Sequence, residues 1–190
     1  YYRGNVKNNN VYFGGFYWQI IRINGDDSIR LIYNGQTKNA NGMEQSINNK
    51  AYRFNDKYNN PAYVGYMYGN PDATTFDEVH NNINNSTIKT AVDNWYKTNI
   101  EDNGYSKYLS TAVGFCGDRS IYSGGDGIQT DKDTYFGAYG RYAANTAQFT
   151  CPEPSRDLYT TSDAFIGNKA LTYPIGLITY DELVYTGMDN

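Results

Sequence analysis

The chain has 190 residues, 39% of them hydrophobic and 16% aromatic, with a formal net charge of -4, a sequence pI of about 4.9 and a mean hydropathy of -0.71. That length suits one domain, residues 1–190, with a real core, and a mildly acidic balance with no basic stripe excludes a nucleic-acid partner. The sequence holds no apolar run near the ~20 residues of a membrane span. Aromatic content and regular apolar runs also exclude a disordered chain. A first residue of Tyr in place of Met reads as a processed end or a boundary, so any export signal or membrane anchor is expected upstream of Tyr1. The 21 Tyr, 8 Phe and 2 Trp stand among many Asn and Gly and few charges. Tyrosine buries a ring and keeps its hydroxyl at water, so this mixture suits a shallow core and a contact surface facing carbohydrate or protein outside cells.

In chain order, residues 11–33 hold the clearest pattern. Val11-Tyr-Phe-Gly-Gly-Phe-Tyr-Trp-Gln-Ile-Ile-Arg-Ile23 is rich in aromatic and β-branched residues, Asn24-Gly25-Asp26-Asp27 signals a turn, and Ser28-Ile-Arg-Leu-Ile-Tyr33 is a second strand. Ile21 and Ile23 alternate with Arg22, and Ile29 and Leu31 with Arg30, which predicts a one-sided antiparallel hairpin. With no bulge at Gly14-Gly15, Phe16 and Trp18 would share a face with Tyr12, and Phe13 would share the other with Tyr17. One face enters the core; the other is an aromatic strip able to stack on sugars or on a neighbouring subunit, with Tyr12, Phe13 and Tyr17 as the candidate ligand-binding residues.

Residues 34–60 read as loop, and residues 62–68 as a short strand or extended segment. Ser86 is a good N-cap for a helix on which Ile88, Val92, Trp95, Tyr96 and Ile100 recur at helical spacing, stopped by Asn103-Gly104. Residues 105–157 are irregular apart from a possible strand around residues 134–142. Residues 171–178 read as a strand interrupted by Pro174, and Thr179-Tyr-Asp-Glu182 is a capping box opening a short helix through Leu183 and Tyr185. The fold class is α+β: an antiparallel sheet, one main amphipathic helix and long irregular loops.

The two cysteines, Cys116 and Cys151, both sit in loop-like sequence and are expected to form a disulfide. Asp126, Asp131 and Asp133 cluster in Gly124-Gly-Asp-Gly-Ile-Gln-Thr-Asp-Lys-Asp133, where calcium would find oxygens, but the spacing departs from an EF-hand and a solvated turn is the plainer reading. Asp181 and Glu182 are explained by the cap and the helix dipole rather than by acid/base work. His80, the single histidine, reads as a polar loop residue. Asn84-Asn-Ser86 and Asn85-Ser-Thr87 match a glycosylation sequon, as an Asn-rich chain does by chance.

Trp18 through Tyr33, Ser86-Thr-Ile-Lys with Asn94-Trp-Tyr-Lys, Phe115-Cys-Gly-Asp-Arg119 and Ala170-Leu-Thr-Tyr-Pro-Ile-Gly-Leu-Ile-Thr-Tyr-Asp-Glu182 resemble surface modules of Gram-positive gut bacteria related to C-type-lectin-like domains, some of which follow prepilin-type leader helices. The resemblance runs from Tyr1 to Gly187. It implies a C-type-lectin-like fold and an extracellular or cell-surface place. In that family a Trp-containing Ser-Pro segment and a final strand follow, and this chain stops at Asn190 without them. The chain is therefore expected to be a fragment, to take the remainder from another polypeptide or to use a shortened fold, and the family's binding surface is not carried over to residues here.

The expected function is a non-catalytic extracellular binding or adhesion module that recognises a glycan or protein ligand through its Tyr/Asn-rich surface. No reactive cysteine pair or metal cluster is visible in the sequence. The alternative is a pilin-like subunit that pairs with copies of itself through an open sheet edge beside residues 171–178.

Overall fold

The computed structural model describes residues 2, 4, 6, 8–57, 60–65, 67–112, 114–162 and 166–187; Tyr1 and Asn190 lie outside them. The chain is α+β, with small antiparallel sheets and few helices. Its first sheet has the order β1 (Asn10–Phe13), β2 (Phe16–Ile23) and β3 (Ile29–Tyr33). Gly14 and Gly15 join β1 to β2 at φ 62° and 86°, the paired left-handed conformation of a two-residue type I′ turn.

That turn corrects the expected assignment of faces. It pairs Phe13 with Phe16 and Tyr12 with Tyr17, and residues opposite one another share a face. Phe13, Phe16 and Trp18 therefore lie together toward the core, while Tyr12 and Tyr17 look outward. The hairpin is not one-sided either. A register shift between Ile20 and Arg22 sets Arg22 opposite Arg30, and both guanidinium groups reach the buried carboxylate of Glu182, at 3.4 and 2.6 Å. Ile23 and Ile29, at the far end of the ladder, are left 59% and 43% exposed. A buried carboxylate needs cations more than two isoleucines need cover.

The next elements are β4 (Tyr68–Gly69), a single helical turn α1 (Phe76–Val79) and β5 (Asn84–Asn85), with β4 and β5 paired. Of the extended segment expected at residues 62–68, Pro61–Tyr63 is instead a 3-10 turn, Tyr66 lies outside the described residues, and strand begins at Tyr68. Helix α2 (Thr87–Tyr96) follows as expected. The Ser86 hydroxyl accepts from the Lys89 amide, and a π turn, Lys97–Glu101, continues the helix to Asp102. Its inward side serves two clusters. Ile88 and Val92 pack with Met67, Tyr68, Tyr159 and Leu171, and Trp95, Tyr96 and Ile100 pack with Phe16. Trp95 meets the rings of Phe16, Tyr33 and Trp18 at centroid distances of 5.1, 5.4 and 6.0 Å, tilted or edge-on as ring quadrupoles favour.

Beyond α2 come β6 (Phe115–Cys116), β7 (Ile121–Gly124), β8 (Thr134–Phe136), α3 (Gly137–Ala143), α4 (Pro154–Asp157), β9 (Leu158–Tyr159) and α5 (Tyr180–Thr186). The strand expected around residues 134–142 ends at Phe136 and gives way to α3. Residues 171–178 form no strand beyond one bridge from Leu171 to Thr161. Pro174 cannot donate to a ladder, and Leu171, Ile175 and Leu177 turn their side chains into the first cluster instead. No strand edge lies there. The capping box at Thr179 forms in full, with Glu182 N–H donating to the Thr179 hydroxyl at 3.2 Å and Glu182 accepting from the Thr179 amide at 3.0 Å.

The loop-heavy second half is fixed by a disulfide and by charges. Cys116 and Cys151 are bonded, closing a separation of 35 residues. Alongside them, Arg119 and Asp157 are both 0% exposed. Asp157 accepts from Arg119 Nε at 2.8 Å, from the Arg119 amide at 3.0 Å and from both Nε and Nη2 of Arg156. The neighbouring Asp118 pairs with Arg141, which also grips Asp181 through two bonds of 2.7 Å. Replacing both cysteines with alanine is expected to lower the unfolding free energy by about 4 kcal/mol, the loop-closure value for a ring of this length. Urea denaturation reads it, and an unchanged midpoint would contradict a structural role for the bond.

Candidate functional site

The cleft beside the disulfide is built where β6, β8 and α3 meet the approach to α5. It encloses about 350 Å³, and its walls include Phe54, Phe115, Phe136, Tyr139, Tyr159 and Tyr180. Because β8 runs straight into α3, Tyr135 leaves the end of the strand and Tyr139 the first turn of the helix, so their rings stack at 4.9 Å and 29°. Tyr142 continues the row at 6.3 Å from Tyr139, and Tyr180 closes it at 5.3 Å from Tyr142. Tyr122 lies flat against α3 because position 140 is glycine: a Cβ there would stand 2.6 Å from its ring. The result is a terrace of tyrosines at the lip of an apolar cleft. Tyr135 and Tyr139 are each 41% exposed and Tyr180 46%.

The ionisable groups beneath the terrace are committed. Asp118 borders the cleft but is buried and paired with Arg141. Bonds to Asp181 and then Asp118 raise the Arg141 guanidinium above its ordinary value against the opposing effect of burial. Burial by itself would raise the Asp157 carboxyl, yet bonds from Arg156 and Arg119 outweigh it and hold it below the usual carboxylate range. Asp181 and Glu182 are both buried in ion pairs, in keeping with their reading as structural carboxylates. Chemically, the cleft offers ring faces, phenol hydroxyls and a mostly apolar lining, which is a surface for contact.

The residues singled out from the sequence fall elsewhere. Tyr12 and Tyr17 sit together on the outer face of the hairpin, ring centroids 4.9 Å apart, with Tyr12 65% exposed. Phe13 does not join them and packs edge-on against Tyr105 and Tyr108. Asp126, Asp131 and Asp133 occupy the β7–β8 connection. Asp126 accepts from the Ile128 and Gln129 amides at 3.0 and 3.2 Å and from the Gln129 side chain, and those donors, Ile128 first, lower its carboxyl. The three aspartates are not drawn together: among the described residues no group of three or more His, Cys, Asp or Glu is placed to hold a metal ion. In the sequon, Asn84 and Asn85 are exposed on β5, while Ser86 is buried and spends its hydroxyl capping α2. Nothing local in the sequence marks the terrace. Its signal was the spacing of Tyr135, Tyr139 and Tyr142, which shows a helical stripe only once α3 is known to start at Gly137.

His80 lies in the turn that ends α1, but it is not a solvated polar residue. Its side chain is fully buried between Phe76 and Phe136, at ring distances of 4.4 and 5.7 Å, and Nε2 donates to the Gly127 carbonyl at 2.9 Å. Phe136 lines the cleft, so the imidazole supports its wall. Burial first, and the positive field of Arg119 second, push the imidazole down to about 4. Since a free imidazole titrates near 6.5, the unfolded chain binds this proton first. Stability is then whole above that pH and falls by about 3 kcal/mol as pH drops through the window to 4. The single histidine signal in a proton NMR titration should show the depressed value. A midpoint near that of a free imidazole would refute the burial.

No helix among the described residues is long and apolar enough to cross a membrane. No protein-family model, curated protein or solved structure matches this chain.

Proposed function

We propose that the chain is an extracellular binding or adhesion module of C-type-lectin-like fold, non-catalytic, recognising a protein or glycan ligand through its Tyr/Asn-rich surface. The observation that carries this reading is the row of half-exposed tyrosines bordering an apolar cleft. Tyrosine supplies large, rigid contact area at little entropic loss, and such residues dominate the energetics of contact surfaces. The cleft's carboxylate, Asp118, is engaged by Arg141 and the lining is mostly aromatic and aliphatic, so the cleft suits an apolar or aromatic group of the ligand, with the phenol hydroxyls meeting polar atoms at the rim. The disulfide supports an oxidising compartment. The order of hairpin, amphipathic helix, disulfide-tied loops and capped helix supports the lectin-like reading of the fold.

Screening the folded protein against glycan and surface-protein arrays tests the proposal. With a ligand in hand, Tyr139→Ala is expected to weaken binding at least tenfold, as loss of a central aromatic contact does, with little change in thermal midpoint. Silence on both arrays, or the lack of any ligand sensitive to Tyr139, would count against this surface.

A further inference from the structure

A second concavity, of about 700 Å³, runs along the outer side of α2 and is closed on its other flank by Asn48, Tyr52 and Asp56. The helical residues facing it include Thr87, Thr90, Asn94 and Thr98, whose spacings of three and four place them on one face. An exposed helix face is ordinarily filled with Lys, Glu and other strong helix formers. Here threonine and asparagine, weaker formers, occupy it instead. Among the described residues no lysine or arginine lines the groove. Its carboxylate, Asp56, already accepts the Thr87 hydroxyl at 3.0 Å.

What remains is a wall of neutral amides and hydroxyls. Each side-chain amide presents an acceptor oxygen beside donor hydrogens, and each hydroxyl both gives and accepts, which matches the alternating donors and acceptors of adjacent sugar hydroxyls. Internal bonds fix part of the set. Asn48 donates to the Tyr52 phenol at 2.8 Å and Asn99 to the Trp95 carbonyl at 2.8 Å, which orients both amides, while Asn94 stands exposed between them. No lysine or arginine among the described residues lines the groove to meet an anionic ligand, Lys50 lying instead over the Tyr52 ring, and Asp56 would repel one.

We propose that this groove binds an uncharged oligosaccharide, separately from the tyrosine cleft; the inference rests on the contact-binding function above and assigns it a glycan subsite. The test is an NMR titration of the 15N-labelled protein with neutral gluco-, manno-, galacto- and N-acetylglucosamine oligosaccharides, with a sulfated glycan as comparator. Side-chain amide signals of Asn94 and Asn99 should shift with a neutral sugar. Asn94→Ala and Thr98→Ala, both on an exposed face, should each weaken that sugar about five- to tenfold, the loss of one or two hydrogen bonds, and Tyr139→Ala should leave it unchanged. Shifts confined to Tyr135 and Tyr139, stronger binding of the sulfated glycan, or a protein ligand at the groove with no sugar response would each overturn the groove assignment and leave the contact-binding function standing. Silence toward sugars and proteins alike would overturn both.

Discussion

Asp157, a fully buried carboxylate, accepts three side-chain bonds from two guanidinium groups and a fourth from the Arg119 amide, and the order of the loops around it depends on that arrangement. A buried charge left alone costs several kcal/mol, so the segments carrying Arg119, Arg156 and Asp157 keep one mutual position. Arg119 also donates to Asn82 and to the Arg156 carbonyl, which draws in the connection before α2. The constraint then passes along the backbone to Asp118, through Arg141 to Asp181, and through Glu182 to Arg30 and Arg22. Two dipeptides, Asp118-Arg119 and Asp181-Glu182, thus join the disulfide loops, α3, α5 and the first sheet. The two apolar clusters on α2 reach the first sheet, β6 and β9 but include no residue of α3 or α5 among those described, and there charge takes over.

The same arrangement orders the tyrosine surface proposed to bind. Arg141 lies on α3, the helix that carries Tyr139 and Tyr142, and it is held from below by two aspartates. His80 braces Phe136 at the foot of the same helix. A terrace fixed in this way has little left to order when a ligand arrives, which favours affinity without requiring many new bonds. The neutral groove along α2 is prepared differently, by the helix itself and by the Ser86 cap that fixes where it begins.

Features written in short stretches of sequence were legible. The Asn24 turn, the Ser86 cap, the Thr179 capping box and the inward stripe of α2 each depend on residues within a few positions of one another. The disulfide was legible because two cysteines in loop-like sequence had few other uses, although Cys116 lies on the short strand β6. Face assignments failed where one residue decides parity. Gly14-Gly15 is a turn, and the shift between Ile20 and Arg22 turns the arginines to Glu182. Residues 171–178 carry strand-forming side chains, yet Pro174 lacks a donor and the core takes Ile175 and Leu177. The charge relay was illegible because its partners are 38, 40 and 152 residues apart, and no periodicity links them. Reading Tyr12, Phe13 and Tyr17 as the binding strip found an aromatic surface, but not the one that borders a cleft.

Buried ion pairing, centred on Asp157, holds the loops that carry the tyrosine terrace. A double-mutant cycle with Arg119→Met and Asp157→Leu, read by urea denaturation, tests it most directly. Asp157→Leu should cost about 3–5 kcal/mol by stranding the buried Arg119, and Arg119→Met somewhat less because Arg156 still bonds Asp157. The double change should cost less than their sum, with a coupling toward the upper end of the 0.5–3 kcal/mol range seen for residues in contact. Additive losses would contradict the claim, since they would mean that the two side chains stabilise the fold independently.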